Sequence, residues 1–184
     1  MAKFTPMRIA GAWLVESDVH LDSRGQFREW FRADEMRQYL GIDFIPAQAN
    51  FSKSAKGVVR GIHFSKATDG QSKLITCVAG RILDVVVDLR PESLTFKQWV
   101  SVELCSDSGR SVFISHGLGH AFQSLEVDSC LSYLMSSKYA PNHEFEINPL
   151  DPEIAITWDL TEISMSQKDK LAPNLEDIIL PKTL

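Results

Sequence analysis

The sequence predicts an all-β jelly-roll domain, and two patterns support this fold class. Short apolar segments with alternating polar residues recur along the chain at a spacing of about 8 to 12 residues. The breaks between these segments hold turn-forming residues, for example Asp107-Ser108-Gly109 and Pro141-Asn142. Such spacing is typical of a β-sandwich or β-barrel, and the long meander favours a double-sheet jelly roll with a few short helices.

The individual strands are predicted from apolar runs that end at turn residues. The clearest pair lies in KLITCVAGRILDVVVDLR, residues 73–90, which Gly80 divides at a predicted tight turn. In the second half of this segment Asp84 and Asp88 alternate with apolar residues, so we expect a strand with one apolar face. Further strands are predicted at 57–66, 97–104, 111–115, 120–126 and 129–137.

Helices are predicted at two places. The segment ADEMRQYLG predicts a helix that begins at Ala33 or Asp34 and ends before Gly41. A short helical turn is expected in SQKDKLA, residues 166–172. Because no repeat or linker divides the chain, residues 1–184 are predicted to form a single domain.

The composition is that of a folded globular domain and argues against several classes of function. The chain has 184 residues, of which 44% are hydrophobic and 23% charged. A net charge of −5 does not favour the basic face that nucleic acids and membrane surfaces require. Arg8 interrupts the apolar stretch near the N-terminus, so we expect no signal peptide, and no segment approaches the ~18 apolar residues of a membrane span. We therefore expect a cytoplasmic protein.

Neither the cysteines nor the histidines are spaced for a metal centre. Cys77, Cys105 and Cys130 are odd in number and contain no Cys-x-x-Cys motif, which predicts buried free thiols in a reducing compartment. The histidines lack the His-x-His pattern of a cupin metal site, because Ser65 stands two positions after His63. No metal site is predicted.

Three strand residues could carry acid–base chemistry, although each also has a structural explanation. His63, in GVVRGIHFSK, suits a general base when a carboxylate fixes its ring, but it and Arg60 could equally end a strand in solvent. Tyr133 could donate a proton, or could belong to the core with its hydroxyl bonded. Lys73 could stabilise an enolate inside a barrel, or remain solvated at a strand edge.

Seven ordered segments together resemble the dTDP-4-dehydrorhamnose 3,5-epimerase family of sugar-nucleotide epimerases. They are DSRGQFREWF, QANFSKSAKGVVRGIHF, QSKLITCVAGRILDVVVDLRPESLTFKQW, GLGHAF, YLMSSKYAPNHE, NPLDPEIAITW and SQKDKLAP. The match runs nearly end to end. The resemblance implies a metal-free, cupin-type double-stranded β-helix, a dTDP-sugar substrate, no cofactor, and a homodimer formed through the β-sheets.

The resemblance also assigns the chemistry to four residues. His63 corresponds to the family's catalytic base, and Asp169 to the carboxylate that orients it. Tyr133 corresponds to the acid on the far side of the sugar ring, and Lys73 to the lysine beside the C4 oxygen.

Nine further positions match the family's substrate contacts. Arg60 corresponds to a diphosphate contact, and strict alternation would place it on the opposite strand face from His63, so we expect a bulge or a strand end between them. A nucleotide-binding segment, which commonly comes from the partner subunit, corresponds to Arg24, Phe27 and Glu29. The remaining contacts are Gln48, Asn50, His120, Tyr139 and Glu144.

The implied reaction is the epimerisation of dTDP-4-dehydro-6-deoxy-D-glucose to dTDP-4-dehydro-L-rhamnose at C3 and C5. Ser65, Ser115 and Ala121 depart from the commonest family pattern, and the GLGH form of the segment 117–120 resembles actinobacterial-type members, some of which act at one carbon only. A single-centre epimerase for an antibiotic deoxysugar and a non-catalytic sugar-nucleotide-binding protein therefore stay open as alternatives. A keto-isomerase is disfavoured, because a histidine pair is expected there in place of His63 and Tyr133.

Overall fold

A computed structural model describes residues 1–67 and 70–180, which form two facing antiparallel sheets. The strands in this part of the chain are β1 (Lys3–Pro6), β2 (Ala12–Glu16), β3 (His20–Asp22), β4 (Gly25–Phe27), β5 (Gln48–Ser54), β6 (Val59–Ser65), β7 (Lys73–Ala79), β8 (Arg81–Asp88), β9 (Trp99–Cys105), β10 (Arg110–Ile114), β11 (Leu118–Ser124), β12 (Ser129–Met135) and β13 (Glu144–Glu146). One sheet has the order β1-β2-β10-β7-β12-β5 and the other β13-β6-β11-β8-β9, while β3 and β4 form a separate hairpin. The predicted double-sheet jelly roll is confirmed.

The helical predictions are also confirmed. Helix α1 spans Ala33–Leu40 and ends at Gly41, which takes the left-handed conformation with φ of 67°. Helix α2 spans Gln167–Lys170, inside the predicted helical turn, and a 3₁₀ turn follows at Leu175–Asp177. None of the helices in the described part of the chain is long and apolar enough to cross a membrane.

The predicted strands are present, but the strands β1 to β5 and β13 were missed. Their sequences carry weak signals, because β3, β4 and β13 have three residues each and β5 (QANFSKS) holds no β-branched residue. Strand β5 is nevertheless well formed, since it pairs with β12 along its whole length at the edge of the six-stranded sheet. Pairing with a partner far along the chain overrides local propensity here.

The two inward-facing sheet surfaces pack together as the central core. Its buried residues include Ile75, Ile82, Val86, Leu104, Val112, Ile114, Phe122 and Leu131. The C-terminal segment covers the outer face of the five-stranded sheet, and α1 with the residues around it covers part of the other outer face. Cys77 and Cys130 are buried free thiols as predicted, whereas Cys105 is only half-buried.

The expectation that β8 has a single apolar face is wrong. Asp84 and Asp88 face the barrel interior and are as fully buried as Val85 and Val87 on the other face. The reason is that β8 lies between β11 and β9, with the opposite sheet on one side and the C-terminal segment on the other. A strand covered on both faces can carry charge only where the interior supplies partners.

A bulge in β6 resolves the alternation problem posed by Arg60 and His63. His63 pairs with His120 of β11 and Arg60 pairs with Phe122, so two residues of β6, Gly61 and Ile62, lie opposite the single residue Ala121 of β11. The extra residue turns both side chains toward the same cavity. Gly61 lies inside this bulge at φ of +124°, and a Cβ atom there would lie 2.4 Å from the Cβ of Ala121.

We expect Gly61→Ala to lower the free energy of unfolding by about 1 to 3 kcal/mol more than Gly25→Ala, because only Gly61 meets a close neighbour. Gly25 is a matched control, since it has a similar φ of +127° but no heavy atom within 4 Å of its ideal Cβ position. Urea unfolding of both variants measures the difference. Equal losses would show that backbone strain alone matters at Gly61.

Asp88 anchors the loop that follows β8. Its carboxylate accepts hydrogen bonds from Arg90 Nη2 at 2.7 Å and from the hydroxyls of Ser93 and Thr95, each at 2.6 Å. Burial alone would raise the pKa of this carboxyl, but these hydrogen bonds outweigh burial and lower it to about 2.

Asp88→Asn should therefore cost about 2 kcal/mol of unfolding free energy at pH 7. The folded-state pKa is about 2 against an ordinary value of 3.8, so this stabilisation is present above pH 3.8 and is lost as the pH falls toward 2. Urea unfolding at pH 7 and at pH 3 measures the difference in unfolding free energy between the wild type and the variant. A difference of the same size at the two pH values would contradict this assignment.

Candidate active site

A cavity of about 260 Å³ opens between the two sheets at one end of the barrel. Nine of the residues predicted from the sequence line it: Gln48, Asn50, Arg60, His63, Lys73, Tyr133, Tyr139, Glu144 and Asp169. They come from strands β5, β6, β7, β12 and β13, from helix α2 and from the segment between β12 and β13. The fold thus gathers side chains that are far apart in the sequence into one polar cavity.

His63 is fixed by a carboxylate. Its Nε2 atom lies 2.7 Å from Oδ1 of Asp169, which is buried in helix α2. Because an ionised carboxylate can only accept hydrogen bonds, this contact places the imidazole proton on Nε2 and leaves Nδ1 free to take up a proton. The side chain of His63 is 40% exposed, so substrate can reach the ring.

Asp169 is in turn held by the first turn of α2. Ser166 precedes the helix, and its Oγ accepts from the Asp169 backbone N–H at 3.0 Å while donating to Asp169 Oδ2 at 2.9 Å. Burial alone would raise the pKa of the Asp169 carboxyl, but the hydrogen bonds from His63 and Ser166 and the charges of His63 and Lys168 bring it below its usual value. Asp169 is therefore ionised at neutral pH and can orient His63.

Tyr133 and Lys73 face the cavity from the opposite sheet. Tyr133 lies on β12 and Lys73 at the start of the neighbouring β7, where it pairs with Met135. Lys73 is buried, and burial lowers the pKa of its ammonium group, while the negative charges of Glu144 and Asp84 oppose that decrease. A cation inside a low-dielectric cavity is well placed to stabilise a developing oxyanion.

Side-chain amides and one arginine form the rim of the cavity. Gln48 donates to Asn50 Oδ1 at 2.9 Å and accepts from the Tyr139 backbone N–H at 2.7 Å. Arg60 also lines the cavity, and its guanidinium donates to Ser54 Oγ at 3.1 Å and to the Lys53 carbonyl at 3.3 Å. These neutral acceptors leave the charge of Arg60 available for an anionic ligand.

Glu144 is positioned by a residue that the sequence analysis did not single out. Gln71 is buried, and its Nε2 donates to Glu144 Oε1 at 2.8 Å and to Ser137 Oγ at 3.3 Å. This amide holds the Glu144 carboxylate on the cavity wall, near enough to act on Lys73.

Four of the predicted site residues do not line the cavity. His120 faces the barrel interior directly opposite His63, and its Nε2 lies 2.7 Å from Oδ2 of Asp84. The other three are exposed and belong to the β3–β4 hairpin or the residues just after it: Arg24, Phe27 and Glu29. Within one chain this hairpin lines separate surface pockets that do not include His63.

The cavity also contains residues that sequence reasoning missed: Met135, Phe145, Ser166 and Lys168. Ser166 could have been found from the pattern Ser-x-x-Asp, which is a helix-capping signal at the start of SQKD. Lys168 forms an ion pair with Glu146 at 3.0 Å, and no local signal distinguishes it from a surface lysine. Among residues 1–67 and 70–180, no group of three or more His, Cys, Asp or Glu side chains is arranged to hold a metal ion.

Comparison with known proteins agrees with this geometry. The family model for dTDP-4-dehydrorhamnose 3,5-epimerase matches residues 6–177. The dTDP-4-dehydro-6-deoxyglucose 3-epimerase of Streptomyces bikiniensis is 46% identical over 171 residues, covering 92% of this chain and 87% of that protein.

Two crystal structures are also closely similar. NovW, a 4-keto-6-deoxy sugar epimerase from the novobiocin gene cluster of Streptomyces spheroides, superposes with a TM-score of 0.94 at 40% identity, covering 96% of this chain and 89% of that one. The dTDP-6-deoxy-D-glucose-3,5-epimerase of Legionella pneumophila, solved with dTDP-4-keto-L-rhamnose, superposes with a TM-score of 0.92 at 37% identity. The match covers 97% of this chain and 95% of that one. With a family model that covers nearly its whole length, this chain belongs to the dTDP-4-dehydrorhamnose 3,5-epimerase family.

Proposed function

We propose that this protein epimerises dTDP-4-dehydro-6-deoxy-D-glucose at C3 and C5 and releases dTDP-4-dehydro-L-rhamnose. The observation that carries this proposal is the placement of a carboxylate-bound histidine and a tyrosine on the two facing sheets of one cavity. A sugar ring between the sheets would present one face to His63 and the other to Tyr133. That arrangement suits inversion of a carbon centre.

His63 acts as the general base. The hydrogens on C3 and C5 are acidic because the C4 ketone can delocalise the electron pair that each leaves behind. Nδ1 of His63 takes one of these protons, and the ionised Asp169 stabilises the imidazolium that results.

Lys73 stabilises the enolate formed in this step. As the C–H electron pair moves into the ring, negative charge develops on the C4 oxygen, and the buried ammonium of Lys73 donates to it. Because folding already places Lys73 in the cavity, the side chain does not have to rearrange during the reaction. No oxidant or reductant takes part, because the ketone is present in both substrate and product.

Tyr133 completes the inversion by returning a proton to the same carbon from the opposite face. The electron pair of the enolate moves back to form the new C–H bond, and the ketone is restored. Proton exchange with solvent then resets His63 and Tyr133. The same cycle repeated at the second carbon gives the doubly inverted product.

The nucleotide half of the substrate is recognised by charge and by a second subunit. Arg60, whose hydrogen-bond acceptors are neutral, supplies positive charge at the cavity for the diphosphate. The exposed hairpin with Arg24, Phe27 and Glu29 reaches the nucleotide site of the partner in a homodimer formed through the β-sheets. Exposed apolar side chains on the six-stranded sheet, Phe51 at 66% and Val78 at 44%, support such an interface.

A single-centre epimerase is the second candidate, because the relatives include enzymes of both kinds. The Streptomyces bikiniensis relative is a 3-epimerase, whereas the Legionella pneumophila protein is a 3,5-epimerase. Both outcomes use the same base, lysine and acid. They differ in whether protonation from the far face occurs at one carbon or at two.

Incubation of the protein with dTDP-4-dehydro-6-deoxy-D-glucose in deuterated water separates the candidates, with proton NMR following the C3 and C5 hydrogens. We expect both signals to disappear. His63→Asn should slow this exchange by about 10³-fold or more, the upper range for losing a general base. His116→Asn is the matched control, because His116 is exposed and lies outside the cavity. Exchange at only one carbon, C3 or C5, would favour the single-centre enzyme, and no exchange in the wild type would favour a binding protein.

Tyr133→Phe tests the direction of proton return. Without the phenol, His63 can still remove a proton and return a deuteron to the same face, so we expect deuterium to enter the substrate while inversion falls by about 10²-fold or more. The measurement compares deuterium uptake with formation of epimer, using NMR and a coupled reductase. Tyr39→Phe, on the exposed face of α1, is the control. Normal inversion by Tyr133→Phe would assign the acid to another group.

A further inference from the structure

Asp84 is a fully buried carboxylate in the middle of β8, and none of the steps above uses it. It faces the barrel interior between Ile82 and Val86, and its exposed fraction is 0%. A carboxylate in such apolar surroundings is costly unless it is paired or bound by hydrogen bonds. Its presence on the strand next to the site therefore calls for a physical explanation.

The two oxygens of Asp84 have different surroundings. Oδ2 lies 2.7 Å from Nε2 of His120, which stands directly opposite His63 in the pairing of β11 with β6. Oδ1 is buried and has no hydrogen-bond partner within the part of the chain that the structure describes. One oxygen thus fixes an imidazole, while the other has no hydrogen-bond donor among the described residues.

Lys73 is a cation on which that charge acts. Asp84 and Glu144 are the two carboxylates that favour the ammonium form of Lys73 against burial. Glu144 lies on β13 and lines the cavity, whereas Asp84 lies on β8, an inner strand of the five-stranded sheet. The other ionisable groups around this part of the site are His63, Arg60, His120, Tyr133, Tyr139, Lys168 and Asp169.

We propose that Asp84 is a positioning residue of the reaction, whose buried carboxylate orients His120 beside the site and keeps Lys73 as an ammonium ion. The catalytic consequence rests on the proposed function, in which Lys73 must be protonated to stabilise the enolate. Asp84 itself exchanges no proton with the substrate. It acts on Lys73 only through the charge of its carboxylate.

The proposal makes a prediction for the charge state of Lys73 that does not depend on turnover. Asp84→Asn keeps the shape of the side chain and an acceptor for His120 but removes the charge. We expect the pKa of Lys73 to fall by about one unit or more in this variant, as measured by NMR titration of protein labelled with ¹³C at lysine Cε. The Lys73 signal is identified by its loss in Lys73→Arg. An unchanged pKa would overturn the proposal whether or not the protein is an epimerase.

The kinetic consequence follows in the same variant. We expect kcat to fall by about 10- to 100-fold with little change in KM, by analogy with the loss of a hydrogen-bond partner that orients a metal-bound histidine. The alkaline limb of the kcat profile should move to lower pH, because Lys73 loses its proton earlier. Asp88→Asn is the matched control, since Asp88 is an equally buried aspartate four residues along β8 that binds Arg90. An activity loss with an unmoved alkaline limb, or the same shift in Asp88→Asn, would mean a structural role only.

A second variant keeps the test decisive if Asp84→Asn does not fold, which thermal melting would reveal. His120→Asn removes the imidazole but leaves the carboxylate of Asp84 in place. We expect kcat to fall while the pKa of Lys73 does not decrease. A decrease in that pKa would assign the effect to His120 and overturn the role of Asp84.

Discussion

Each buried aspartate that faces the interior of this barrel has a partner there, because the two packed sheets exclude water and an unpaired carboxylate would be costly. This constraint accounts for the arrangement of the polar residues. Asp169 binds His63, Asp84 binds His120, and Asp88 binds Arg90. The interior is therefore divided into an apolar core and a polar cavity, which is lined by His63 with Asp169 and by further charged and polar side chains. The site is the part of the interior in which buried charged side chains have polar partners.

Local backbone geometry determines which side chains reach that cavity. The bulge in β6 breaks the two-residue period, so Arg60 and His63 share a face that strict alternation would deny them. Gly61 permits the bulge, because any larger residue would meet Ala121. On α2, the cap formed by Ser166 fixes the helix start and holds Asp169 at the same time. Stability and chemistry thus depend on the same hydrogen bonds.

Some functional residues could be identified from the sequence and others could not. His63, Lys73 and Tyr133 stand out because each is polar within an apolar strand, yet each also had a structural explanation. Asp169 is separated from His63 by 106 residues, and only the resemblance to a family linked them. Asp84 gave no signal of burial, because a polar residue in an alternating strand usually faces solvent. Its burial follows from coverage of both faces of β8, which no local pattern reveals. Gln71 lies just before β7, where no local pattern distinguishes it from a loop residue.

The sequence by itself determined the fold class, the positions of the turns, most strands and helix α1. These features depend on side-chain period and turn chemistry, which act between residues close together in the chain. Tertiary structure alone decided the strand order, the edge strand β5 and the pairing of Asp84 with His120. Each of these depends on contacts between distant segments, whose free energy is set by the packed sheets rather than by any one stretch of sequence.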